Sequence, residues 1–344
     1  MEEFAVALTA DFFGSDGKVL FRDVGLSVLE QQAGMGIVPM QNFYPTVKPE
    51  QLRGVQGAIL MEAGADKHTL SDSENLLALA RFGVGYNDID VQACTDADVL
   101  FFTAAGAVDR SMAEATIGWM FALSHQFRMK DLLVRRGEWN QAHHYVGMEL
   151  RERTFGSIGF GGIARATIDL LRGFSMAPPI AFDPYVDPSE AEKLGVRLVS
   201  LDELMRQADF ISIHCPLNDK TRNLIGQREL ALMKPEAFLI NTARGGIVNE
   251  DALFQSLTEK RIAGAAIDVF VGEPFSEPHR FSVLDNTLLA PHAVGLTHEI
   301  YRDIGHAVCR GMVDLAFGRR PASVINPELL ERSSFTKKWE RLRL

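Results

Sequence analysis

"FGSIGFGGIARATIDLL", residues 155–171, decides the fold. An apolar run, Phe155 to Ile158, leads into Gly159, Gly161 and Ala164, and an amphipathic stretch follows at once. Glycines at this spacing make a tight turn and leave bare backbone at the positive end of a helix, where a pyrophosphate can approach. Glycine-rich turns are common, so the pattern gains its weight from the order strand, turn, helix. The next apolar run, "IAFD", ends on Asp183, 24 positions beyond Gly159. An acid there accepts hydrogen bonds from the ribose hydroxyls and repels a 2′-phosphate. Pro184 and Tyr185 follow, with no arginine at hand to receive a phosphate. NAD is the expected cofactor. Asp183 also has a plainer reading, as a turn carboxylate before proline.

Outward from this turn the alternation is regular. "FGSIGFG", "IAFD", "VRLVS", "FISIHC", "AFLINTA", "AGAAIDVF" and "TLLAPH" read as strands. Several are apolar on both faces, as central parallel strands must be. "ARATIDLLRGF", "LDELMRQA" and "NEDALFQSLTEK" read as the helices between them. Pro178 and Pro179 shorten the second strand to "IAFD", because proline cannot donate to a ladder. The expectation is a doubly wound parallel sheet of seven strands. Upstream, "FAVALT", "GAILMEA" and "ADVLFFTA" read as strands separated by the amphipathic "LFRDVGLSVLEQQ" and "SDSENLLALARF", a smaller α/β unit. One long helical region is expected from Ser111 to Gly137. Another runs from Thr297, a suitable N-cap with Glu299 in the first turn, to Phe317. The charged final dozen residues are expected to pack loosely.

Bulk properties narrow the partners. The 344 residues suffice for two domains, and 47% hydrophobic content supports a sizeable core. A net charge of −10 argues against general affinity for nucleic acid or anionic membrane. No apolar run is long enough for a membrane helix, and the opening "MEEFAVALTADFF" is acidic where a secretory signal is basic. Cys94, Cys215 and Cys309 lack metal-ligand spacing and cannot all pair, so a reducing cytoplasm and no metal are expected.

Three segments that end strands of the seven-stranded sheet carry reactive side chains: "NTARGG" with Arg244, "AIDVFVGEP" with Asp268 and Glu273, and "LLAPHAVG" with His292. Ligands collect beyond the carboxyl ends of such strands. Reducing a ketone by hydride needs a proton donor at the oxygen and a cation to hold and polarise the substrate. Histidine is the usual acid near neutral pH, a carboxylate behind it favours its protonated form, and arginine offers a fork matched to a carboxylate. Each residue also has a bland alternative. Arg244 could serve a surface salt bridge, Glu273 could be an ordinary loop acid before Pro274, and His292 a satisfied structural histidine.

The segments "RFGVGYNDID", "SIGFGGIAR", "DFISIHCPLNDKTRNLIG", "LMKPEAFLINTARGGIVNEDAL", "GAAIDVFVGEP" and "LAPHAVGLTHE" closely resemble the D-isomer-specific 2-hydroxyacid dehydrogenase family, in the family's order, from about residue 57 to 326. The resemblance implies that Arg244, Glu273 and His292 are catalytic. It implies that Val84 and Gly85 present amides to a substrate carboxylate, with Val84 also beside the cofactor. Gly162 and Ile163 would contact the pyrophosphate, and Cys215, Thr242 and Ala243 would line the cofactor. Asp268 would hold the nicotinamide carboxamide, and Gly295 would sit beside His292. Also implied are a substrate-binding domain split between 1–103 and 296–344, a Rossmann NAD-binding domain at 104–295 inserted into that smaller flavodoxin-like domain, and a homodimer. The expected activity interconverts a small 2-keto acid and its D-2-hydroxy acid. The alternative class is a catalytically silent NAD(H)-sensing protein like the corepressors that share the fold. Formate enzymes of the family pair the histidine with glutamine, so Glu273 disfavours formate oxidation. The motif departs from the family at Ala164, at Val108 where asparagine is common, and in the small residues of "GADKH". These residues do not separate glyoxylate, hydroxypyruvate, phosphoglycerate and longer keto acids.

Overall fold

The computed structural model describes residues 4–344; Met1, Glu2 and Glu3, part of the acidic opening, lie outside the described residues. The chain divides into two compact units, Met1–Val108 with Leu296–Leu344, and Asp109–Gly295.

In the first unit five parallel strands stand in the order β2-β1-β3-β4-β5: β1 Phe4–Leu8, β2 Met35–Pro39, β3 Gly57–Leu60, β4 Ala78–Arg81 and β5 Leu100–Phe102. Strand β4 lies in "SDSENLLALARF", which reads as amphipathic from its sequence. Its residues are buried on both faces, so no alternation marks it as a strand. Most of "LFRDVGLSVLEQQ" is likewise not helical. Asp23 Oδ1 accepts from the Gly25 amide (2.8 Å), a local turn that competes with helix, and only Ser27–Glu30 coils. The charged C-terminus does not pack loosely. Ser333–Leu342 is a helix whose Phe335 is fully buried, whose Trp339 Nε1 donates to Leu315 O (2.7 Å), and whose Lys338 Nζ donates to the carbonyls of Ala97 and Asp98 (3.2 and 3.0 Å). Phe335 and Trp339 stand four apart on one face, and that apolar pair outweighs the charges around it.

In the second unit seven parallel strands run β12-β11-β10-β9-β6-β7-β8. They are β6 Phe155–Ile158, β7 Ile180–Phe182, β8 Arg197–Leu198, β9 Phe210–Ile213, β10 Phe238–Asn241, β11 Gly264–Ile267 and β12 Thr287–Leu289. Along β9 and β10, Ile211, Ile213 and Leu239 enter the core on one face while Phe210, Phe238 and Ile240 enter the core on the other. Apolar residues on both faces are what a sheet covered on both sides requires. Truncating Phe210, which is fully buried, to alanine costs about 3–5 kcal/mol. The long helical region is interrupted. Asp109–Ser124 and Phe127–Arg136 are separated at Gln126, which adopts a left-handed conformation (φ 56°). The Thr297 hydroxyl caps the helix His298–Ala316 by accepting from the Ile300 amide (3.1 Å). No helix among the described residues is long and apolar enough to cross a membrane.

Candidate active site

Strand β6 delivers the chain into a turn built on Gly159, whose φ of +94° suits glycine. A Cβ there would meet His214 O at 2.7 Å and Cys215 N at 2.9 Å, so the backbone at the end of β9 lies directly beneath it. The helix Gly162–Leu171 starts at once, with Gly161 at its N-cap and no side-chain hydrogen bond capping that end. Asp183, just past β7, accepts the Phe160 amide on Oδ2 and the Tyr185 amide on Oδ1, both at 2.9 Å. The carboxylate expected to meet a ribose is thereby fixed in place beside the turn. Arg165 stands nearer than the sequence suggests. It is committed elsewhere: Nε donates to Phe160 O (3.1 Å) and Nη2 to Glu190 (2.9 Å). Burial pushes the Cys215 thiol up to about 11, so it is a neutral wall and not a nucleophile. The helix end without a side-chain cap, the glycine turn and the acid at the next strand fit a dinucleotide. Asp109 was not foreseen. Its carboxylate presses against Gly162, and burial raises its pKa from the ordinary carboxylate value.

At the end of β10, Asn241 shapes the arginine turn. It is buried, its Oδ1 accepts from the Ala243 amide (3.1 Å), and its Nδ2 donates to Arg244 O (3.1 Å). Arg244 is half-buried and its Nη1 donates to Ala243 O (2.6 Å). Gly245 follows because a Cβ would overlap the carbonyl of Phe270; the two loops touch backbone to backbone. Thr242 is buried.

Asp268, at the end of β11, joins the neighbouring segments. Its amide donates to Asn241 O (3.0 Å), and its carbonyl accepts from the His292 amide (2.7 Å). Its Oδ1 accepts from Ala293 (2.8 Å) and Val294 (3.2 Å). Burial raises its carboxyl above the usual range, although those two amides and the His292 charge pull the other way. His292 is held in a left-handed conformation (φ 55°), uncommon for a residue with a side chain, which turns the chain sharply after β12. Its Nδ1 lies 2.6 Å from Glu273 Oε1. Glu273 Oε2 accepts from the Phe270 amide (2.9 Å). Burial alone would raise Glu273. The bond to His292, the Phe270 amide and the positive charges of His292 and Arg244 outweigh it and hold the carboxyl below its ordinary value. With Nδ1 engaged by a carboxylate, Nε2 is the nitrogen left to exchange a proton. Gly295 O accepts from Ser111 Oγ (2.6 Å), which anchors the end of this segment.

The structure thus gathers Arg244, Asp268, Glu273 and His292 beyond the carboxyl ends of β10, β11 and β12. Val84 and Gly85 belong to the other unit, where they follow β4; Val84 is exposed. Sequence reasoning missed Asn241 and Asp109. A polar residue closing an apolar strand was the only signal for the first, and the second carried none.

Comparison with known proteins accords with this geometry. The family model described as "D-isomer specific 2-hydroxyacid dehydrogenase, NAD binding domain" matches residues 117–294. Glyoxylate reductase of Thermococcus litoralis is 33% identical over 291 residues, 83% of this chain and 87% of the relative. D-3-phosphoglycerate dehydrogenase of Methanocaldococcus jannaschii is 36% identical over 284 residues, 81% of this chain and 54% of that protein. Among solved structures, the NAD-complexed D-isomer specific 2-hydroxyacid dehydrogenase of Lactobacillus delbrueckii superposes with a TM-score of 0.74 at 23% identity, covering 94% of this chain and 100% of the other.

Proposed function

The chain belongs to the D-isomer specific 2-hydroxyacid dehydrogenase family, and on that premise we propose that Arg244, Glu273 and His292 carry out its NAD-dependent interconversion of a 2-keto acid and a D-2-hydroxy acid. When bound, the cofactor would supply the hydride chemistry, as NADH donating to the carbonyl carbon in reduction and as NAD+ accepting from the hydroxyl-bearing carbon in oxidation. Arg244 grips the substrate carboxylate and polarises the carbonyl oxygen. His292 Nε2 delivers a proton to that oxygen in reduction and removes it in oxidation. Glu273 fixes the ring and offsets the charge it gains. Val84 and Gly85 add amides to the carboxylate. Gly159, Gly161, Gly162, Ile163, Asp183, Cys215, Thr242, Ala243, Asp268 and Gly295 hold the cofactor. The observation that carries the proposal is the 2.6 Å contact between Glu273 and His292, with the Arg244 charge reaching the same carboxylate. A silent NAD(H) sensor has no need of such a pair.

Relatives named for glyoxylate and for 3-phosphoglycerate share a small acid whose reacting carbon adjoins the carboxylate, and that shared part is what we assign here. Loss of NADH absorbance across a panel of 2-keto acids, repeated with NADPH, tests it. Turnover of at least one acid with NADH supports the assignment; NADH binding without turnover of any would replace it with the sensor. We also place the protein in the cytoplasm and assign it a homodimer. The segment 127–146 leaves Phe127, Val134, Trp139 and Val146 exposed, an apolar set suited to a second copy. Light scattering that gives a monomer's mass would refute the dimer.

A further inference from the structure

Behind the loop that presents Glu273 lies a set of contacts that proton transfer itself does not use. Glu250 Oε1 accepts from the Val271 amide (2.8 Å). The other oxygen of the same carboxylate lies 3.5 Å from His279 Nε2 and 4.0 Å from the Arg280 guanidinium. Glu250 opens the helix Glu250–Thr258, whose N-cap is already supplied by Asn249, its Oδ1 accepting from the Ala252 amide (2.9 Å). The helix therefore does not need Glu250 to start. What Glu250 adds is a tie between the helix that follows the Arg244 turn and both ends of segment 271–280.

The far end of that segment is anchored unusually. The His279 ring sits among Phe270, Phe275 and Phe281, with centroids 4.8, 5.1 and 5.1 Å away. Its Nδ1 is buried without a hydrogen-bond partner, and the Glu250 carboxylate, 3.5 Å from Nε2, is the charged group that faces the ring's other nitrogen. Phe270 is shared. Its ring packs on His279, its amide holds Glu273 Oε2, and its carbonyl abuts Gly245 beside Arg244. Contacts run without a break from Glu250 through Val271 and Phe270 to Glu273 and His292.

We propose that Glu250, with His279 as its counterpart, is a positioning residue that keeps the Glu273 loop in register with His292. The proposal rests on the reading of Glu273 and His292 as the proton-transfer pair. A reacting group displaced by about 1 Å can lose up to two orders of magnitude in rate. The test uses the full chain with Glu250→Ala, Glu250→Gln and His279→Ala, each measured for kcat, KM, the pH profile of kcat/KM, NADH affinity by fluorescence, and amide exchange over residues 269–275. Glu250→Ala is expected to lower kcat about tenfold. It should speed exchange at Phe270 and Val271, and draw the pH profile toward that of Glu273→Gln, with NADH affinity unchanged. Glu250→Gln, which keeps an acceptor for Val271, recovers most of the rate. His279→Ala leaves the helix start untouched and repeats the effect in weaker form, which decides the matter should Glu250→Ala fail to fold. Unchanged exchange together with wild-type kcat in Glu250→Ala or His279→Ala overturns the proposal. Faster exchange in those variants, combined with a silent Glu273→Gln, leaves the tether standing and overturns instead the role given to Glu273.

Discussion

Replacing Glu273 with glutamine keeps the shape of the side chain and an oxygen for His292 Nδ1, but removes the charge. In the wild type that charge is held against the cost of burial by the His292 bond, the Phe270 amide and the positive charges nearby. The attraction is mutual, so its loss weakens the hold of the site on the proton that reduction consumes. A hydrogen bond to a charged group is worth about 1.5–3 kcal/mol. The two side chains are 48% and 28% exposed, and solvent screening reduces the figure to roughly 1–2 kcal/mol. At about 1.4 kcal/mol per pH unit, the alkaline limb of kcat/KM for keto-acid reduction should move down by about one unit. Beyond that limb the variant runs about tenfold slower than the wild type. Steady-state rates in overlapping buffers at saturating NADH measure the limb, and an NADH titration confirms an intact cofactor site. A limb that stays where the wild type has it refutes the coupling between Glu273 and His292.

Other substitutions probe separate parts of the account. Arg244→Lys keeps the charge but not the fork, and should cost on the order of tenfold to a hundredfold in kcat/KM for the keto acid, with NADH affinity little changed. Equal losses with substrates lacking a carboxylate would contradict its role as the grip. Asp183→Ala leaves the Phe160 and Tyr185 amides without an acceptor and should weaken NADH binding about tenfold while improving NADPH relative to NADH, read by fluorescence titration. His214 gives a pH effect on stability. Its Nε2 is buried without a partner, and burial lowers its folded pKa to about 4 from 6.5. The unfolded chain thus takes up this proton first as pH falls. The contribution is complete above pH 6.5 and shrinks between there and about 4, by roughly 3 kcal/mol in all. Urea midpoints of His214→Leu should fall less steeply across that window than those of the wild type, and parallel curves would refute the assignment.

How much of this was legible follows from where the physics is local. The seven strands of the larger sheet stand out because each is a short apolar run closed by proline, glycine or a polar residue, and the chain winds them with helices between. Arg244, Asp268, Glu273 and His292 were visible because each interrupts such a run at its end. Strand β4 was not, since burial on both faces leaves no period to separate a strand from a helix. Strand β2 was not read as one either; all of its residues are only partly buried or exposed. The "LFRDVGLSVLEQQ" segment carried a helical pattern that the Asp23 turn overrides. At the C-terminus the run of charges concealed Phe335, whose burial depends on what the rest of the unit brings to it. The same holds in the site. Asn241 behind Arg244, Asp109 against Gly162 and Glu250 behind the Glu273 loop act through partners distant in the chain, and no spacing announces them.

The decisive measurement takes His292→Ala and compares two quantities with the wild type: NADH affinity by fluorescence and turnover of the best 2-keto acid. The account predicts an unaltered dissociation constant and a rate reduced by two to four orders of magnitude, about the contribution of a general acid. Near-normal turnover in that variant would remove the imidazole from the chemistry and with it the mechanism.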